Sequence, residues 1–184
     1  MEKIRPYQSK DFDNVRRICL KNADDPKSEK QKSYILSTYC DYYIEQEPQN
    51  CFVAVNEADE AVGYIICAED YGVFQKRFEE IYLPRVKALG GLKWKTSASA
   101  YRLHAKHQGT YPAHLHLDID EAYQRRGLGS RLTDKLIEHL KAKDIKGLMF
   151  TVGGDNEVGL SFYNKYGFKI IEKGFGDIAM GLLF

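Results

Sequence analysis

Residues 111–129 read YPAHLHLDIDEAYQRRGLG, and the rest of the chain is arranged around them. From His114 to Asp120 the residues alternate strictly, with Leu115, Leu117 and Ile119 on one side and His114, His116, Asp118 and Asp120 on the other. A period of two predicts a strand with one face in a core and one polar face. After Glu121 the run Gln124-Arg125-Arg126-Gly127-Leu128-Gly129-Ser130 leads into Leu132, Leu136, Ile137 and Leu140, whose three-to-four spacing predicts an amphipathic helix. The glycines therefore fall at a helix N-terminus. The first amides there lack intrahelical partners and carry the positive end of the macrodipole, so a loop without β-carbons lets an anion approach them closely. Arg125 and Arg126 add charge that suits a diphosphate. Taken alone, such a turn fits a purely structural helix cap equally well.

Working outward, residues 147–152 form a short apolar run, read as a buried strand. Gly153-Gly154 and Asp155-Asn156 open a helix through Leu160, Phe162, Tyr163 and Tyr166, and Gly167 stops it. Residues 168–172 and 178–183 make closing strands around Gly174-Phe175-Gly176. Upstream, residues 3–7 form a first strand, and Val15, Ile18 and Cys19 mark a helix that ends near Asp24, Asp25 and Pro26. A second helix spans about residues 30–46 and carries a stripe of Tyr34, Tyr39, Tyr42 and Tyr43. Residues 51–55 and 61–67 are apolar and β-branched around a polar turn, which predicts a hairpin.

The composition narrows the classes. At 184 residues the chain supports one domain, taken as 1–184. Its 27 Lys and Arg against 26 Asp and Glu leave a net charge of +1, so no global field draws it to nucleic acid or a membrane surface. Cys19, Cys40, Cys51 and Cys67 lie singly among apolar residues without metal-ligand spacing, and read as reduced core thiols. The start lacks an apolar signal core and no run reaches membrane-spanning length, so a cytoplasmic protein with no metal is expected.

The pattern Gln124-x-x-Gly127-x-Gly129 after an alternating strand resembles the acetyl-coenzyme A loop of the GNAT N-acetyltransferase superfamily. Asn156 and the run Phe162-Tyr163-Asn164-Lys165-Tyr166-Gly167-Phe168 resemble that superfamily's second signature, at the proper separation. Within it, the segments EQEPQNCFVAV, VGYIICAED and YPAHLHLDI are similar to the acetyltransferase-like domain of O-GlcNAcase and its bacterial relatives. The resemblance implies an α/β (α+β) GNAT fold: a mixed, mostly antiparallel sheet of about seven strands flanked by helices. It implies acetyl-coenzyme A as cosubstrate, an amine acceptor, and the homodimer common in this fold. It also leaves open an inactive binding module that recognises a peptide or protein.

By the same resemblance, Ile119, Asp120, Gln124, Arg125, Arg126, Gly127, Leu128, Gly129, Ser130, Asn156 and Tyr163 contact the cofactor. Tyr163 falls on the position of the proton donor to the departing thiolate; a phenol near 10 can serve a thiol near 8.5 when placed beside it. Its plain alternative is a packed helix residue, and that of Asn156 is an N-cap. For the base, His116 and Asp118 project the same way from the polar strand face, and each is equally well a structural residue. That acidic face weakly favours a cationic acceptor. The tyrosine stripe is read first as core, although the fold implies that it lines the acceptor cleft. Finally, an insertion of about residues 70–111 precedes the cofactor strand, helical over 71–89 with a break or kink at Leu83 before Pro84, then basic and irregular. It is read as an acceptor-site lid.

Overall fold

The computed structural model describes residues 2–23 and 25–184. In chain order the elements are β1 (Lys3–Pro6), α1 (Phe12–Asn22), α2 (Glu29–Tyr39), α3 (Asp41–Gln46), β2 (Phe52–Val55) and β3 (Ala61–Ala68). The insertion follows as α4 (Tyr71–Arg77), α5 (Leu83–Ala88), α6 (Lys93–Ser99) and α7 (Arg102–His107). The second half contains β4 (Ala113–Ile119), α8 (Leu128–Ala142), β5 (Gly147–Gly153), α9 (Glu157–Tyr166), β6 (Lys169–Lys173) and β7 (Asp177–Leu183). The seven strands make one sheet in the order β1-β2-β3-β4-β5-β7-β6. Every neighbouring pair is antiparallel except β4 and β5, which are parallel and joined through α8.

That exception creates the site. β4 and β5 pair only at Ala113 with Leu148 and at His114 with Met149, after which the strands diverge. From Leu115 onward β4 keeps its ladder to β3 and has no β5 partner. Its free edge therefore presents backbone donors and acceptors that something else must satisfy.

Two apolar clusters sandwich the sheet. Leu128, Leu132, Leu136 and Leu140 recur every fourth residue along α8, and none is more than 1% exposed. They cover Ile65, Cys67 and Leu115 on one face, at about 1.5–3 kcal/mol for each leucine taken from water. On the other face Val15, Ile18 and Cys19 of α1 join Tyr64 and Ile66 of β3. All four cysteines are buried and unbridged.

Three local expectations need correction. Residues 30–46 are not one helix: Cys40, with φ −130° and ψ −58°, breaks it into α2 and α3. The break turns Tyr42 and Tyr43, at 1% and 0% exposure, into the core, so these tyrosines do not line the acceptor cleft. Of the break or kink expected at Leu83, no break occurs: the helix continues because Pro84 sits in the first turn of α5, where its missing N–H costs nothing, and the irregularity takes the form of a π-helical turn over Phe78–Tyr82. The basic stretch before β4 is helical as α6 and α7. The end of α1 near Asp24 lies outside the described residues; the described helix stops at Asn22.

The insertion packs onto the rest of the domain at both ends. Tyr71, Phe74, Phe78, Tyr82 and Tyr101 are buried in the α1–β3 core. Ser97 bonds Thr38 of α2 across 2.6 Å, and the Tyr101 hydroxyl donates to the Thr38 carbonyl at 2.6 Å. At its other end Arg102 pairs with Asp177, and Lys106 and His107 with Glu172. Buried hydrogen bonds at one end and solvent-exposed ion pairs at the other thus join the insertion to α2 and to the β6–β7 edge. No helix of the described residues is long and apolar enough to cross a membrane.

Candidate active site

The divergence of β4 from β5 opens a cleft of about 810 Å³, walled by residues 115–119 of β4, residues 150–153 of β5, the start of α8 and one side of α9. Gln124, Arg125, Gly127, Leu128, Gly129, Ser130, Asn156 and Tyr163 all border it. Gly127 takes φ +76° as the residue before α8, and a β-carbon there would meet nothing within 4 Å. Gly129 is needed for a different reason: a β-carbon would sit 3.0 Å from the Phe162 ring of α9. One glycine thus frees the mouth of the helix, and the other lets α8 and α9 approach. Arg125 itself sits at φ +59°, a strained placement for a non-glycine residue beside the cleft.

Two residues assigned to the cofactor do not border the cleft. The Arg126 guanidinium donates to Glu2 Oε1 at 2.8 Å and to the Ala122 carbonyl at 2.7 Å, and lies over the Tyr123 ring. Two of its five N–H donors are thus directed away from the cleft. Asp120 accepts from Arg17 and Lys21 of α1, each at 2.8 Å, while its own amide donates to the Val62 carbonyl. That leaves neither its side chain nor its N–H for a ligand, and it removes one charge from the acidic strand face. Ile119 stays on the cleft wall, with its carbonyl accepting from Gln124 at 3.0 Å.

Asp118 is the remaining acidic group. It borders the cleft, and its Oδ2 accepts from the hydroxyl of Tyr64, its cross-strand partner on β3. Burial in the sheet raises its carboxyl to about 6, against the smaller opposing effect of the Tyr64 hydrogen bond. The group is therefore ionised at neutral pH yet basic enough to take a proton. Tyr64, fully buried, went unnoticed in the sequence, since its pairing is with a strand 54 residues away.

Tyr163 faces Asp118 from α9. Its ring packs 3.9 Å from Phe150 and 5.5 Å from Phe168, centroid to centroid. Its hydroxyl has no hydrogen-bond partner among the described residues. Burial first, and the Asp118 charge second, raise its pKa, so it stays protonated throughout the neutral range. The N-cap role and the cleft position of Asn156 coexist: its side chain accepts from the Gly159 amide at 2.8 Å at the head of α9.

His116 borders the cleft but is held differently. Its Nε2 is 3.4 Å from the Tyr101 hydroxyl, and its ring packs against Tyr39 and Tyr43. Burial lowers it to about 4, so it is a weaker base than Asp118 at neutral pH. Behind it, His114 and His104 pack 5.0 Å apart, with both His114 nitrogens and His104 Nδ1 lacking partners. Burial lowers His104 to about 3, and His114 well below the usual range. These three imidazoles are neutral when folded and take protons when unfolded, so they stabilise above pH 6.5 and withdraw that support as pH falls toward their folded values. Asp118 acts oppositely, since its raised pKa favours the fold below about 6. Three imidazoles outweigh one carboxyl, so stability should fall as the pH drops from 6 toward 4. Urea midpoints measured across that interval check this; a flat profile would show the histidines to be solvated.

The Acetyltransferase (GNAT) family model matches residues 16–168. Among solved structures the chain is similar to SsHAT, at 22% identity and a TM-score of 0.88 over 99% of this chain and 98% of that one. It is similar to PH1933 from Pyrococcus horikoshii OT3, at 17% identity and a TM-score of 0.72 over 100% and 99%. A third likeness is to PaiA N-acetyltransferase from Thermoplasma acidophilum, solved in complex with coenzyme A, at 17% identity and a TM-score of 0.62 over 100% and 99%. At these identities the structural likeness is one of fold.

Proposed function

The chain belongs to the acetyltransferase (GNAT) family, whose members use acetyl-coenzyme A, and from this we propose direct acetyl transfer to an acceptor amine in a ternary complex. The observation that carries the proposal is the meeting, in one cleft, of three features: the unpaired edge of β4, the glycine-opened start of α8, and the pair Asp118 and Tyr163.

Acetyl-coenzyme A would supply the activated acyl group as a thioester. The residues present suit it. The amides at Gly127–Ser130 stand where a diphosphate meets a helix N-terminus, and the open space at Gly127 leaves room for it. The free edge of β4 can pair with an extended amide chain as another strand would. Asp118 is placed to accept the proton that an attacking nitrogen must lose, and Tyr163 to give one to the departing sulfur. We assign the base to Asp118 over His116 because its carboxylate is the stronger base and keeps Oδ1 free.

The acceptor contacts fall to the cleft side near Asn22, His116 and Asp118. With Asp120 neutralised, one carboxylate remains to attract a cationic amine. The similarity to the O-GlcNAcase acetyltransferase-like domain extends this reading to a more specific branch of the family. A cytoplasmic setting fits four unbridged thiols. The test is a calorimetric titration with acetyl-coenzyme A, followed by thiol release assayed over polyamines and peptide amines. Binding with amine-dependent release is the expected result. Binding without release for any amine would favour a partner-recognition module, and no binding by folded protein would overturn the proposal.

A further inference from the structure

We propose that Tyr64 is a positioning residue of the acetyl-transfer site: its hydroxyl holds Oδ2 of Asp118, so that Oδ1 is presented to the acceptor amine. The inference rests on the reading of Asp118 as the base. Tyr64 does not border the cleft and is fully buried, so it cannot touch the acceptor itself. It lies directly across the β3–β4 ladder from Asp118, in a register fixed by five further pairs from Gly63 with Ile119 to Ala68 with His114. A carboxylate held through one oxygen by a rigid strand neighbour loses rotational freedom about its χ angles, and its second oxygen keeps a set direction.

No other group among the described residues competes for that role. Along β4, His116 turns to Tyr101, and Asp120 is taken by Arg17 and Lys21. From α9, Tyr163 feels the Asp118 charge but makes no hydrogen bond to it. On the far side of the Tyr64 phenol stand Cys19 of α1 and Cys40 at the α2–α3 junction, both buried thiols. Tyr64 is thus the single hydrogen-bond donor to Asp118 among the described residues. Its hydroxyl stabilises the ionised carboxyl and opposes the effect of burial.

The test compares wild type with Tyr64→Phe, which keeps the buried ring, and with 2,3-difluorotyrosine placed at position 64, which donates more strongly at nearly the same size. Two readouts are taken: the Asp118 carboxyl midpoint by carbon NMR, and the acid limb of kcat/KM. Tyr64→Phe should raise both by about one pH unit, and the fluorinated residue should lower both. An unchanged midpoint in folded Tyr64→Phe protein, or one unmoved by fluorination should the phenylalanine variant not fold, overturns the inference. The NMR midpoint is independent of catalysis. If it moves while an acid limb persists in Asp118→Asn, Tyr64 holds Asp118 but Asp118 is not the base, and the role proposed for Tyr64 falls with that reading.

Discussion

Gly127→Val is expected to weaken acetyl-coenzyme A binding by about 100-fold or more while leaving the fold largely intact. Gly127 is at φ +76°, a region that a β-branched residue enters only at a cost of roughly 1–2 kcal/mol. Nothing lies within 4 Å of its missing β-carbon, so the added side chain meets no protein wall and instead occupies the mouth of the helix. Tilting or covering the first amides of α8 removes charge-assisted hydrogen bonds to a diphosphate, which are about twice as strong as neutral ones. The strain falls on folding, in free and bound protein alike; one or two lost hydrogen bonds to a charged group, at about 1.5–3 kcal/mol each, reach the ~2.7 kcal/mol that a hundredfold represents. Arg126→Ala is the matched control, since that guanidinium is bound to Glu2 and Ala122 and should change affinity less than about threefold. Calorimetry on both variants decides the point. Equal losses would mean that charge at the loop, and not access to the helix amides, holds the ligand.

The contrast between these two residues also marks what the sequence could convey. Alternation over His114–Asp120 and the leucine spacing after Gly129 are local periodicities, and both elements they predicted are present; the leucines of α8 are buried as their spacing predicts, whereas burial along β4 does not alternate, since His114 of the expected polar face is 1% exposed. Which charged residue of Gln124-Arg125-Arg126 faces the cleft is not periodic information. It depends on Glu2, 124 residues away, which captures Arg126. The same limit hid Tyr64: a β-branched and aromatic run says strand, but the residue opposite Tyr64 is set by a register between strands separated by the whole insertion. Within the insertion the apolar spacing over 71–89 was legible, and Phe74, Phe78 and Tyr82 are buried along it. The basic stretch after Gly91 shows no such period; its helices α6 and α7 are anchored through Tyr101, which packs into a core assembled from α1, α3 and β3, a contact with distant elements that local pattern does not carry.

The second large effect is expected at Asp118 and Tyr163, and it should not be additive. Asp118→Asn removes the proposed base and is expected to lower kcat/KM by about 10²–10³, within the range for general acid and base groups. Tyr163→Phe should cost about 10² while preserving the stacking on Phe150 and Phe168. The two groups are electrostatically linked, because the Asp118 charge is one cause of the raised Tyr163 pKa. Once Asp118 takes a proton, that charge disappears and Tyr163 becomes the better donor at the stage when the sulfur needs a proton. Proton uptake at one wall of the cleft thereby primes release at the other. In Asp118→Asn the phenol should titrate below its wild-type value, and the double variant should lose much less than the product of the single losses. Multiplicative losses, with an unmoved phenol in Asp118→Asn, would show two independent groups and leave the timing of proton release to solvent.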